Sequence, residues 1–268
     1  MRTKSIDIHQ HFPGTNKLDA RVQACADAGI VKQVLLGLPE SRVPGDNAGS
    51  LEASRLFPDL FIPFYGLEMD ADTPDNISRA RDRGFVGVKC IAPRRPYNDP
   101  AYFPLYERCA ELELPVLYHL GIVANNKAWN DCDSNLMRAI HLDHIARMIP
   151  QLTIIGAHFG NPWSDEAGMA CRWNPNLFFD FSGSLLKYRS PQFLGDLLWW
   201  QSDGPYSSPD KTTAWQKICF GTDVNSDLME DVRQDHENLM NALNLTPELR
   251  HAIWYGTAAK ILKLAPEV

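Results

Sequence analysis

The sequence predicts a (β/α)8 barrel (TIM barrel), and three observations carry that prediction. Eight short apolar runs recur along the 268 residues. Helical stretches separate them, the order that builds a parallel sheet. Histidine, lysine and aspartate fall at the far ends of several runs, the ends that a parallel barrel gathers at one mouth. Eight units in about 250 residues is the ordinary size of that fold. A doubly wound open sheet is the alternative, but the glycine-rich phosphate loop that marks it is absent.

The first run, at 5–11, reads Ser-Ile-Asp-Ile-His-Gln-His and alternates polar with apolar residues. Side chains two apart on a strand share a face, so Asp7, His9 and His11 point the same way. Two imidazoles so placed can grip one divalent ion, zinc above all. The other strands are expected at 32–38, 60–67, 85–91, 115–120, 152–158, 177–182 and 218–223. Helical composition or period marks 18–28, 47–57, 74–83, 100–112, 135–148, 164–173 and 191–200. The Ser/Pro/Asp-rich stretch 201–213 reads as an insertion before the eighth strand, and the tail 225–268 as helix closing the barrel. No linker or low-complexity stretch divides the chain, so one domain over 1–268 is expected.

Composition excludes several classes. With 44% hydrophobic and 22% charged residues the chain is an ordinary globular one. A net charge of −7 and no Lys/Arg run argue against nucleic acid as a partner. No apolar run is long enough to cross a membrane, and none near the start reads as a signal peptide. The six cysteines are scattered with no Cys-x-x-Cys pair, which suits free thiols in a reducing cytosol and a cytoplasmic protein.

Sorted by position, the reactive residues converge. His9 and His11 end the first strand, Lys89 lies near the end of the fourth, His119 ends the fifth, His158 the sixth and Asp223 the eighth. Any one histidine after an apolar strand is ordinarily a hydrogen-bonded core residue, whereas the set reads as a metal site. His141 and His144, three apart on a helix around Asp143, read as a solvated face. His236 and His251, in polar helical segments, carry no signal.

The chain resembles the amidohydrolase superfamily, and within it the "amidohydrolase 2" branch of aminocarboxymuconate-semialdehyde-decarboxylase-like proteins. The likeness rests on Asp7-Ile8-His9-Gln10-His11, on the runs 115–121 and 176–183, on Ala157-His158-Phe159-Gly160 and on Phe220-Gly221-Thr222-Asp223. The ending 255–262 is similar to the family's closing helix, with Thr257 where Asn is usual. The resemblance implies a distorted barrel with a divalent metal, zinc or a similar ion, held by His9, His11, His119 and Asp223. It implies that Asp223 takes the proton of an activated water and that His158 polarises or protonates the substrate. Lys89 stays open. In binuclear relatives a strand-four lysine is carboxylated and bridges two ions, yet Lys89 could equally pair with Asp7 or bind a substrate carboxylate. One ion is the favoured reading.

Asp7 is a candidate partner for fixing the His9 and His11 tautomers. In the fourth loop Arg94 and Arg95 offer two guanidinium forks for a carboxylate, or else are solvated surface charges. Asn125, Asn126, Trp129, Asn161, Trp163, Ser182 and Tyr188 lie on later loops, where aromatic rings such as Trp129 could wall a planar substrate or simply pack. The expected partner is therefore a small anionic molecule, and a homo-oligomer is left open. The leading expectation is a metal-dependent hydrolase of an ester, lactone or amide of a small carboxylated compound. A metal-dependent decarboxylase of an aromatic or unsaturated acid is the alternative. A non-catalytic binder is disfavoured, because His158 and Asp223 both accompany the expected ligands.

Overall fold

A computed structural model of the chain describes residues 2–264. Eight strands are present: β1 (Ser5–Gln10), β2 (Ile30–Leu36), β3 (Phe61–Gly66), β4 (Gly87–Cys90), β5 (Val116–Tyr118), β6 (Ile154–Gly156), β7 (Leu177–Asp180) and β8 (Ile218–Cys219). They pair in sequence order and all in parallel. Between β8 and β1 the seam is drawn together by two backbone bonds, Ile8 N–H to Phe220 O at 3.0 Å and Asp223 N–H to His9 O at 2.9 Å. The second bond couples the first and last site residues directly. This is the (β/α)8 barrel that the alternation predicts.

Helices follow the strands: α1 (Leu18–Asp27), α2 (Asp46–Leu56), α3 (Pro74–Arg83), α4 (Phe103–Glu111), α5 (Ala139–Met148) and α6 (Ser164–Trp173). Two short helices, α7 (Leu185–Tyr188) and α8 (Pro191–Leu197), come after β7. The tail forms α9 (Met229–Ala242), α10 (Pro247–His251), a π-turn over Ala252–Gly256 and α11 (Thr257–Ile261), and its last expected residues, 265–268, lie outside those described. Local chemistry sets the boundaries. Helix α3 opens on a Thr73–Asn76 capping box with Pro74 in its first turn and stops at Gly84, whose φ of 114° only glycine adopts readily. The 201–213 stretch is loop, as its composition indicates.

Two apolar layers hold the barrel. Ile6, Val34, Phe64, Leu117, Ile155 and Phe178, from six different strands, meet in one buried cluster closed by Ala258, Ala259 and Ile261 of α11. Outside it, Val88, Val116 and Leu177 pack with Leu105, Leu142 and Ile145 of the helices. Five cysteines are buried and Cys132 is half-buried, all of them free. Among the described residues no helix is long and apolar enough to cross a membrane.

The strands end earlier than the apolar runs do. His11 and His119 directly follow the last strand residue, while His158 lies two residues past β6 and Asp223 four past β8 on backbone that turns sharply: φ is 55° at His158, 46° at Phe159 and 50° at Asp223. Non-glycine residues in this region are held there at a cost, and such positions cluster at functional sites. Gly121 adds a close approach. A Cβ there would come within 1.9 Å of Asn161 O, so only glycine lets the loops after β5 and β6 meet.

Candidate metal centre at the barrel mouth

Three imidazoles and one carboxylate converge. His9 Nε2 lies 4.0 Å from Asp223 Oδ2, His11 Nε2 lies 3.6 Å from Asp223 Oδ1, and His158 Nε2 lies 3.7 Å from Asp223 Oδ2. The ligand-capable atoms of His9, His11 and Asp223 all fall within 4.8 Å of one another. His119 adjoins this group across His158, with ring centroids 5.0 Å apart, and lines the same cavity.

What turns each ring is visible in its other nitrogen. His9 Nδ1 lies 2.8 Å from Asp180 Oδ2, and His11 Nδ1 lies 2.8 Å from Leu36 O. His158 Nδ1 lies 2.8 Å from Ser182 Oγ and 3.3 Å from Ser182 O. The Ser182 hydroxyl donates to Asp180, so it accepts from His158. Carboxylates and carbonyls only accept, so this geometry assigns the proton of all three rings to Nδ1. That leaves Nε2, the nitrogen that faces Asp223 in each ring, as the one a neutral imidazole offers to a metal. Burial favours the neutral form of His11 and His158, driving both down to about 4, and of His119, driven well below its ordinary value.

The donor set fits a divalent ion. His9 Nε2 and His119 Nε2 are buried with no hydrogen-bond partner, a costly state that metal coordination would relieve. The combination of imidazole nitrogen with one carboxylate oxygen suits zinc and neighbouring transition ions. Asp223 is pushed up by burial, but His9, His11, His158 and Lys89 pull harder and hold it below the usual carboxylate range. It is part-exposed to the cavity, so it can touch both the cluster and a bound molecule.

Sequence reasoning missed Asp180. It is fully buried on β7 and accepts from four groups: His9 Nδ1, His158 N–H at 3.0 Å, Ser182 N–H at 3.0 Å and Ser182 Oγ. Burial raises its pKa, yet the opposing pull of His9 leaves it strongly lowered, hence ionised. The signal was there in the polar ending of the apolar run Leu177-Phe178-Phe179-Asp180. Asp180 corrects the role expected of Asp7. Asp7 accepts from His9 N–H, Thr222 N–H, Thr222 Oγ and Gln33 Nε2, so it ties β1 to β2 and to the segment after β8, and makes no hydrogen bond to either imidazole ring.

Lys89 is fully buried and its Nζ has no hydrogen-bond partner, so of the readings open for it the pair with Asp7 is not formed. Burial lowers it to about 8, against the opposing charges of Asp223 and Asp180. Its charge bears on His11, His119, His158 and Asp223, yet it does not line the cavity.

Arg94 and Arg95 are a second correction. Their side chains are 71% and 56% exposed and pair with Asp131 at 3.8 Å and Asp99 at 3.6 Å. Neither lines the cavity, because the fourth loop carries them out into solvent. Exposed pairs of this kind contribute little. We expect Arg94→Ala and Arg95→Ala to keep kcat/KM within about twofold and stability within about 0.5 kcal/mol, as for ordinary surface changes. Steady-state kinetics and thermal melts check both.

Of the remaining residues, Trp129 and Asn161 line the cavity. Asn125 and Asn126 are exposed, Trp163 packs under Arg138, and Tyr188 is exposed beneath Arg189. His141 and His144 do lie on a largely solvated helix face. His236, without signal in the sequence, is a core residue packed between Phe220 and Trp254. The cavity measures about 610 Å³ and its walls are mostly apolar, with Leu38, Ile91, Leu120, Val123 and Leu185 among them.

A parallel barrel whose C-terminal mouth concentrates buried imidazoles around a carboxylate is the architecture of a metal-dependent barrel enzyme. The chain belongs to the amidohydrolase family, whose model matches residues 6–264. Members of that superfamily are metal-dependent enzymes, hydrolases and decarboxylases among them. No curated protein matches the chain. Among solved structures it is similar to an uncharacterised TIM-barrel protein from Bordetella bronchiseptica, at 21% identity and TM-score 0.73 over 97% of this chain and 99% of that one. It is also similar to a dihydroxybenzoic acid decarboxylase from a Polaromonas species, solved with manganese and 2-nitroresorcinol, at 17% identity and TM-score 0.68 over 98% and 97%. A probable 2-pyrone-4,6-dicarboxylic acid hydrolase from Acinetobacter baumannii, solved with citric acid, is 13% identical with TM-score 0.66 over 98% and 100%. At these identities the likeness is one of fold.

Proposed function

We propose that the chain is a metal-dependent hydrolase of a small, largely apolar compound bearing an ester, lactone or amide and an anionic group. His9, His11, His119 and Asp223 would hold one divalent ion, zinc or manganese. When bound, such an ion polarises a carbonyl and acidifies water. The observation that carries this reading is the convergence of three imidazole Nε2 atoms on a carboxylate that also faces an open cavity. Asp223, ionised, accepts the proton of the attacking water. His158 stands 3.7 Å away with a free lone pair, placed to receive that proton and deliver it to the leaving group. This makes His158 a base before it is an acid. Apolar walls bind the body of the substrate and exclude competing water.

One observation favours a second reading, decarboxylation of an aromatic or unsaturated acid. Apolar walls destabilise a carboxylate relative to the neutral carbon dioxide it releases. Incubating the metal-loaded protein with small esters, lactones, amides and aromatic acids in ¹⁸O-labelled water separates the two. Label in a new product carboxylate supports hydrolysis. Carbon dioxide release with solvent hydrogen at the vacated carbon replaces it with decarboxylation, and no turnover across the panel removes both.

A further inference from the structure

A second cavity, of about 450 Å³, opens beside the metal cluster. It shares His11, Asp223, Val224 and Leu228 with the main cavity, so the two meet at the catalytic edge. Beyond that edge its lining is Phe12 and Pro13, the amide groups of Gln10 and Asn225, and one cation, Arg21. Gln10 is already engaged: its Nε2 donates to Thr222 Oγ and Val224 O, and its Oε1 accepts from His11 N–H.

Arg21 is not engaged in proportion to its charge. It projects from α1, is 3% exposed, and forms no ion pair among the described residues. Its Nη1 reaches Met229 Sδ at 3.5 Å, a weak acceptor, and its Nη2 reaches Val224 O at 3.3 Å, a long contact, and both acceptors are neutral. Its Nε is buried with no partner at all. The carboxylate whose field reaches it is Asp7, and Asp7 is saturated by His9, Thr222 and Gln33. A buried guanidinium with five donors and two poor neutral acceptors is an unfavourable arrangement in a folded protein. A planar anion would satisfy it with two parallel bonds.

We propose that Arg21 and this side cavity form a carboxylate-binding subsite, which holds the anionic group of the substrate while its reacting carbonyl lies at the His11–Asp223 edge. The inference rests on the hydrolase reading and names where its anionic substrate is anchored, the role expected of Arg94 and Arg95. One fork, a single cation and the neighbouring Asp223 charge suit a monoanionic carboxylate better than a phosphate dianion. Phe12 and Pro13 leave room for a short hydrocarbon between the carboxylate and the reacting group.

The test uses benzoate and its neutral isostere benzamide as probes of the metal-loaded protein. The Arg21 Nε–H resonance, assigned with Arg21→Lys, is followed by ¹⁵N NMR. Benzoate is expected to shift it and benzamide to leave it in place. Calorimetry is expected to show benzoate binding at least about tenfold tighter than benzamide in the native protein, with that ratio falling toward one in Arg21→Gln and partly restored in Arg21→Lys. An Arg21 resonance unmoved by benzoate up to its solubility limit overturns the proposal. So does an unchanged ratio in a folded Arg21→Gln protein. Should Arg21→Gln fail to fold, the resonance in the native protein decides alone. Protein that turns nothing over yet shifts the Arg21 resonance keeps the subsite and loses the hydrolase reading. Protein that hydrolyses its substrates with the resonance unmoved keeps the hydrolase and loses the subsite.

Discussion

Asp223→Asn is expected to lower kcat by about 10³-fold or more, the scale of removing a positioned general base. The reason is geometric. Asp223 is the carboxylate that meets His9, His11 and His158 at 4.0, 3.6 and 3.7 Å and also faces the cavity. Asp180 and Asp7 are both fully buried and cannot reach a substrate. An amide at 223 cannot take a proton from water, and it ligates metal weakly. The fold should survive, because the backbone bond from Asp223 N–H to His9 O does not involve the side chain. Kinetics and elemental analysis on the same preparation check this. A variant that keeps kcat within tenfold of native would remove Asp223 from the chemistry.

The second large effect is expected at a residue that never touches substrate. Asp180→Asn should weaken metal binding about 10- to 100-fold, the usual cost of losing the group that orients a ligating histidine. Three of the four donors, His158 N–H, Ser182 N–H and Ser182 Oγ, share Asp180 Oδ1, and only His9 Nδ1 meets Oδ2, so an amide oxygen can serve one side while its NH₂ opposes the donor on the other. With the oxygen at Oδ1, His9 loses the acceptor that keeps its proton on Nδ1; with the oxygen at Oδ2, Ser182 loses the acceptor that orients it toward His158. Stability should also fall by about 1–3 kcal/mol, the range for leaving a buried hydrogen-bonding group without its partner. Competition with a metal-indicator dye measures the first effect and chemical denaturation the second. Asp7→Asn provides the contrast: Asp7 clamps backbone and Thr222, so its loss should cost stability while leaving metal affinity nearly unchanged.

The alternation of apolar strand and helix was enough to read the barrel, since a parallel strand buried on both sides must be apolar and its crossover must be helical. The inward face of β1 was legible for the same reason: period two puts His9 and His11 together whatever surrounds them. What could not be read was each side chain's partner. Asp180 lies 171 residues from His9, and only closure of the barrel brings them into contact. Arg94 and Arg95 show the opposite failure. Their position after β4 was right for a substrate clamp, but a loop's course depends on contacts such as Arg94 N–H to Asp70 that no local pattern encodes. Arg21 was hidden because a charged residue on an amphipathic helix ordinarily faces water, and here α1 packs it against Met229 instead.

Anomalous X-ray scattering from crystals of the metal-loaded protein tests the central claim most directly. A single peak within bonding distance of His9 Nε2, His11 Nε2, His119 and Asp223 is the result expected. No peak between those side chains, or an ion bound with His119 or Asp223 outside its coordination shell, would contradict it.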